Sequence, residues 1–380
     1  MLTKRQFLSL SSRAVCLAIA SSHLGISSAL ASTERLRQSQ RALQLHFNEN
    51  ALGMSPQAMQ AAINATRSSG NRYADPLLDI LREQLATKHG VKGEQLIFGN
   101  GSTEVIQAVS RYAALNNATV VEPSPTFGAL AGNAGSQGVR VIKVPVTNDF
   151  MTDLSALENA ANQVGGAVVI NICNPNNPTG TIVDSEALTA WIKRAPSSHL
   201  FLVDEAYYDY AQYSNGYSSM LGLVLDGAEN VVIARTFSKV YGMAGLRVGY
   251  GIARKNLASK LNTLGADFNL NAAGIAAASA SLQDDAFYQH SIKSNQQAKQ
   301  HLLATLKTLE LEWIPSHTNF VLHKINSPLD KYTQRMRQNG VMVGRRMTEE
   351  DGWNRISIGT LDDMREFSQL LLEFRERGWV

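Results

Sequence analysis

Five stretches of the chain repeat one pattern, and that repetition limits the fold more than any other feature. Each opens on an apolar run of strand length and enters a turn, and the first continues with clear helical periodicity. They are "EQLIFGNGSTEVIQAVSRYAA", "ATVVEPSPTFGALAGNAG", "GAVVINICNPNNPTG", "HLFLVDEAYYDY" and "NVVIARTFSKVYG". Strands this apolar must be covered on both faces, so their alternation with helices predicts an α/β fold with a mostly parallel central sheet flanked by helices. In such sheets, polar groups just past the carboxyl ends of the strands open onto a crevice, and ligands bind there.

A chain of 380 residues exceeds what one hydrophobic core usually serves. From about Asp267 the pattern changes to a long helical stretch, followed by the short strand patterns "NFVLHKI", "GVMVG" and "NRISIG". The expected organisation is a large domain over residues 53–266 and a smaller α+β domain over 267–380. An N-terminal arm, 32–52, would join the smaller domain, with a substrate cleft between the two.

Residues 1–31 read as an export signal: Lys4, Arg5 and Arg13, an apolar segment, then Ala29-Leu30-Ala31 as a small-residue cleavage pattern. "TKRQFLS" resembles the twin-arginine signal, with Lys4 in place of the first arginine. The expected location is therefore periplasmic or otherwise exported, and cytoplasmic if the signal is not functional. Ser21, Ser22 and His23 interrupt the apolar part, which is too short and polar to span a membrane. Its removal takes the formal net charge from +3 to zero, leaving no basic patch that would suit nucleic acid or a membrane surface. Cys16 lies in the signal, so Cys173 would stand alone, and no zinc-ligand spacing is present.

Several polar groups fall at expected strand ends, and each has an ordinary reading. "GNGST" could be a simple tight turn, Asp204 and Glu205 solvated acids, Lys239 a snorkelling surface lysine, and Arg247 half of a surface pair. Together they match the needs of a pyridine cofactor that carries a phosphate and an aldehyde. Gly101, Ser102 and Thr103 offer backbone N–H groups at a helix start, while Thr236, Ser238 and Arg247 offer hydroxyls and a guanidinium. Asp204 suits a protonated ring nitrogen, Asn177 and Tyr207 the ring oxygen, and Phe127 a stack on the ring face. An aldehyde requires an amine kept neutral by burial and nearby cations, and Lys239 fits.

"NEN" at 48–50, "RYAD" at 72–75, "GNGSTE" at 99–104, "NPNNPTG" at 174–180, "DEAY" at 204–207, "RTFSKVYGMAGLRVGY" at 235–250 and "NRISIGT" at 354–360 occur in this order over almost the whole mature chain. In this the chain resembles the class I/II pyridoxal-phosphate aminotransferases of fold type I, and among them the histidinol-phosphate aminotransferases. The resemblance implies pyridoxal 5'-phosphate as cofactor, Lys239 as the Schiff-base lysine and Arg355 as the clamp for the substrate's carboxylate. It implies a small-molecule amino donor and a 2-oxo acid acceptor. It also implies a homodimer with shared sites, in which Tyr73 reaches the phosphate of the neighbouring subunit's cofactor.

The likeness departs from the family pattern near the substrate. A proline and an aromatic after "NEN" are here Ala51 and Leu52, so Asn50 and Leu52 are the candidate substrate contacts on this side. The stacking tyrosine appears as Phe127. Gly344 stands where an arginine is expected after "GVMV", leaving Arg345 to swing in. These changes suggest an amino donor other than histidinol phosphate. A lyase or amino-acid decarboxylase would share every cofactor contact, while a ligand-binding regulator or a cofactor-binding protein without turnover fits the sequence less well. Residues 211–225 are expected to cover part of the site as a loop and short helix at the dimer face.

Overall fold

The computed structural model describes residues 42–348 and 350–380. The expected export signal and the start of the arm therefore lie outside the described residues. In chain order the elements are β1 (Leu43–Leu45), α1 (Pro56–Ser69), α2 (Asp75–His89), β2 (Leu96–Gly99), α3 (Ser102–Leu115), β3 (Thr119–Ser124), α4 (Ala129–Ser136), β4 (Val141–Pro145), α5 (Leu154–Asn162), β5 (Val168–Cys173), α6 (Ser185–Arg194) and β6 (His199–Asp204). They continue with α7 (Tyr208–Ala211), α8 (Leu221–Leu225), β7 (Val231–Thr236), β8 (Gly249–Ala253), α9 (Lys255–Asn262), α10 (Ala272–Ser281), α11 (Asp285–Thr308), β9 (Phe320–Lys324), α12 (Leu329–Gln338), β10 (Val341–Val343), β11 (Trp353–Ser357) and α13 (Leu361–Glu376).

Seven strands form one sheet in the order β2-β8-β7-β6-β5-β3-β4. Only β8 runs antiparallel to its neighbours. Every residue of β5, β6 and β7 is buried. Successive side chains enter opposite faces of a strand, and two apolar clusters result. Ile170, Ile172, Phe201, Val203 and Ile233 belong to one, and Val169, Leu200, Leu202, Val232 and Ala234 to the other. The doubly covered, mostly parallel sheet is the arrangement its strand sequences require.

Some helix starts carry a side-chain cap and others do without one. The Ser55 side chain accepts from the Ala58 N–H and caps α1. At α2 the cap position falls to Ala74, which gives no side-chain bond, and Asp75 lies in the first turn, where its charge faces the positive end of the helix.

The second core gathers Leu45, Leu302, Tyr332, Phe367 and Phe374 between α11, α12 and α13. Beside it β9 pairs antiparallel with β11, and β1 pairs parallel with β10, which ties the arm to this unit. The alanine-rich α10, inside the segment read as the smaller domain, packs instead on α1 and α2, with Ile275, Ala277 and Ala278 in the large cluster. No described helix is long and apolar enough to cross a membrane.

Candidate active site

The carboxyl ends of β5, β6 and β7 meet the N-terminal arm and the smaller unit around a cavity of about 950 Å³. Asp204 is the last residue of β6 and pairs in register with Cys173, the last of β5. Thr236 ends β7, and Ser238 and Lys239 follow in the turn. All five line the cavity, as do Ser102, Thr103, Phe127, Asn177, Tyr207, Arg247, Arg345 and Arg355.

Lys239 Nζ donates to the carbonyls of Asn48 at 3.1 Å and Phe47 at 3.4 Å, and lies 5.5 Å from the centre of the Tyr207 ring. Burial, and then the Arg355 charge, lower the pKa of this amine to about 8. Asp204 is only 3% exposed and accepts from the Ala206 N–H at 3.1 Å. Burial raises its carboxyl to about 6. Tyr207 accepts from Asn48 Nδ2 at 2.9 Å and from Asn177 Nδ2 at 3.5 Å, and burial pushes its phenol upward. Arg355 donates to Asn177 Oδ1 and to the His46 carbonyl, both at 2.7 Å, while its buried Nε has no partner. Burial lowers its pKa.

On the phosphate side, Gly101 holds φ 72° just before Ser102, so the first N–H groups of α3 are free of helical partners. A side chain at Gly101 would strike the Arg247 guanidinium, and one at Gly249 would strike the Gly101–Ser102 backbone. Arg247 donates to the Asn100 carbonyl at 3.0 Å and reaches Ser238 Oγ at 3.5 Å. Thr236 Oγ1 donates to Ser238 Oγ at 2.8 Å. A helix start, an arginine and hydroxyls thus converge as an anion cradle. Across the cavity lie a desolvated acid and an amine of lowered pKa, and the donor set fits pyridoxal 5'-phosphate at both ends.

Tyr73, expected at the neighbouring subunit's site, is 73% exposed and lies tilted against Phe268 with ring centres 4.5 Å apart. Two expected residues lie elsewhere. Asn50 turns its amide to the Val240 carbonyl at 2.8 Å and Ser291 Oγ at 3.1 Å, and Leu52 follows it away, so neither lines this cavity. Residues 211–225 do not line this chain's cavity. Instead Ser219 Oγ and the Met220 N–H donate to Glu205, which is paired with Arg235 at 2.8 Å behind the strand ends. Glu205 has the ordinary reading of a solvated acid, yet its side chain is fully buried. The sequence reading also missed His46, Thr333, Arg337 and Met347, which line the cavity.

The family model for aminotransferase class I and II matches residues 41–371, and the chain belongs to that family. The family depends on pyridoxal phosphate, so this is a pyridoxal-phosphate-dependent aminotransferase of fold type I. The histidinol-phosphate aminotransferase of Moorella thermoacetica is 38% identical over 334 residues, which cover 87% of this chain and 85% of that protein. A solved chain from Erwinia carotovora atroseptica matches at TM-score 0.87 and 36% identity, over 90% of this chain and 98% of its own. The histidinol-phosphate aminotransferase of Sinorhizobium meliloti, solved with pyridoxal-5'-phosphate, matches at TM-score 0.81 and 25% identity, over 87% and 90% of the two chains.

Proposed function

We propose that Lys239 carries the cofactor and acts as the proton-transfer base, and that the cavity accepts an anionic amino donor and a 2-oxo acid. The observation that carries this reading is the convergence of Lys239, Asp204, Tyr207, Arg247 and Arg355 on one cavity, with the amine lowered to about 8. When bound, the cofactor supplies an electron sink at the substrate's α-carbon and carries the amino group between the two substrates.

The chain's own residues do the rest. Gly101, Ser102, Thr103, Thr236, Ser238 and Arg247 would hold the phosphate, and Phe127 would face the ring. Asp204 keeps a proton on the ring nitrogen; its desolvation makes that charge pairing worth more than it would be in water. Asn177 and Tyr207 hold the ring oxygen. Arg355 exchanges Asn177 Oδ1 and the His46 carbonyl for the substrate's anionic group, in the bidentate geometry a guanidinium offers. Lys239 Nζ, neutral in a useful fraction near its pKa, takes the proton from the substrate's Cα.

The amino donor is histidinol phosphate or an amino acid. Arg337 and Arg345 beside Arg355 support a donor with a second anionic group, whereas Gly344, in place of the arginine that the family pattern has after "GVMV", favours one other than histidinol phosphate. The working unit is a homodimer, a reading supported by the exposed Tyr73–Phe268 pair. Export is supported by the basic and then apolar start of the chain.

The test is the visible absorption of the purified protein while single donors, among them histidinol phosphate, glutamate and aromatic amino acids, are added one at a time. The reading predicts that one donor converts the cofactor to its aminated form and yields the matching keto product or aldehyde. Release of carbon dioxide or ammonia without amination of the cofactor would favour the decarboxylase or lyase instead.

A further inference from the structure

Asn48 is 1% exposed and holds φ 56°, the left-handed region that asparagine enters more readily than most residues. The turn puts all its polar groups to use. Its N–H donates to Ser357 Oγ at 2.8 Å, and that hydroxyl lies 3.1 Å from Asn48 Oδ1. Its Nδ2 lies 2.9 Å from the Tyr207 oxygen. Its carbonyl accepts from Lys239 Nζ at 3.1 Å and Asn319 Nδ2 at 3.0 Å.

The direction of these bonds can be deduced from the groups that can only donate. A backbone N–H is one, so the Ser357 oxygen accepts there and its single proton goes to Asn48 Oδ1. With Oδ1 engaged, the NH₂ group of the amide faces Tyr207, whose oxygen accepts. A second chain reaches the same oxygen. A guanidinium also only donates, so Asn177 Oδ1 accepts from Arg355 Nη1 at 2.7 Å and Asn177 turns its Nδ2 toward Tyr207 at 3.5 Å. Both lone pairs of the phenol oxygen then face N–H donors. The phenol's own proton is left for the cavity that Tyr207 lines.

We propose that Asn48, aligned by Ser357, is a positioning residue that makes Tyr207 a hydrogen-bond donor toward the cofactor's ring oxygen. The proposal rests on the reading that places that oxygen at Tyr207. Aspartate could not replace Asn48, because its carboxylate would accept the Tyr207 proton and reverse the bond.

A double-mutant cycle tests it with Asn48→Gly and Tyr207→Phe. Glycine keeps the left-handed turn and the carbonyl facing Lys239, and removes the amide alone. Two quantities are read: the Kd of pyridoxal 5'-phosphate for the full chain freed of cofactor, and the pH midpoint of the loaded protein's visible band. Asn48→Gly is expected to weaken cofactor binding about fivefold, the scale of one hydrogen bond. It should also move the midpoint upward, because losing a donor disfavours the anionic oxygen. In the Tyr207→Phe background the same substitution is expected to change neither quantity. Equal effects with and without the hydroxyl, or no effect in either background, overturn the proposal and leave the ring-oxygen reading intact. If Tyr207→Phe itself changes nothing, the ring-oxygen reading falls and takes the proposal with it. Should Asn48→Gly not fold, Ser357→Ala enters the same cycle, with an expected effect of about two- to threefold on Kd.

Discussion

The floor and the outer wall of the cavity are built on different terms. On the floor, Cys173, Asp204 and Thr236 end adjacent strands inside the seven-stranded sheet, each held in the ladder and each buried. Behind them the Glu205–Arg235 pair is locked by Ser219 and covered by the Tyr208 ring, which lies 3.8 Å from the guanidinium carbon. Of the outer wall's three arginines only Arg355 stands in a strand, at 7% exposure. Arg337 sits at the exposed end of α12, and Arg345 is exposed in the irregular run after β10. A group fixed by a ladder keeps its position while the reaction proceeds, whereas an exposed arginine keeps its rotamer freedom and can fit different anions. On the proposed function, the floor does the chemistry and the wall chooses what it is done to.

Substitutions can break this division, the largest effect first. Lys239→Ala should lower kcat by about 10³-fold or more, because it removes both the cofactor's anchor and the base; steady-state kinetics with saturating donor would show it. Arg235→Ala should lower the unfolding free energy by about 3–5 kcal/mol, since Glu205 would remain buried without its partner. Urea unfolding measures this, and a loss below about 1 kcal/mol, the scale of a surface pair, would mean that the pair does not brace the floor.

Arg355→Leu joins wall to floor. It should raise KM for the donor by about tenfold or more, the loss of one charged hydrogen-bonded contact. It should also raise the pKa of Lys239, because the Arg355 charge helps to hold that amine near 8. Only the neutral amine attacks an aldehyde, so labelling of cofactor-free protein by pyridoxal should rise with pH through about 8, and in Arg355→Leu through a higher pH. An unmoved midpoint would separate wall from floor entirely. Arg345→Ala should do least: a KM increase of about threefold to tenfold, confined to donors with a second anionic group. A similar increase for donors without one would show that the outer wall does not select.

The floor was legible in the sequence because its signals are local. Apolar runs of five or six residues ending in Asp204 or leading to Lys239 announce buried strands whose ends open on the crevice, and the structure places both residues on one cavity. What stayed hidden depends on distant pairings. Asn48 meets residues 159 and 309 positions away in Tyr207 and Ser357, and no spacing rule connects them. Glu205 reads as a solvated acid until Arg235 arrives from the next strand. Arg337 lies on a strongly polar helix beside Arg335, and nothing in the sequence marks which of the two faces a cavity. Asn50 and Leu52 are expected at the substrate from the family pattern around "NEN"; the left-handed turn at Asn48 precedes an Asn50 side chain bound to Val240 and Ser291 instead.

The most direct test of the central claim, that Lys239 carries the cofactor on this floor, is reduction of the loaded protein with borohydride followed by peptide mapping. The account predicts a pyridoxyl group on Lys239, absent from the Lys239→Ala protein. A label on any other lysine, or none on the wild type, would contradict it.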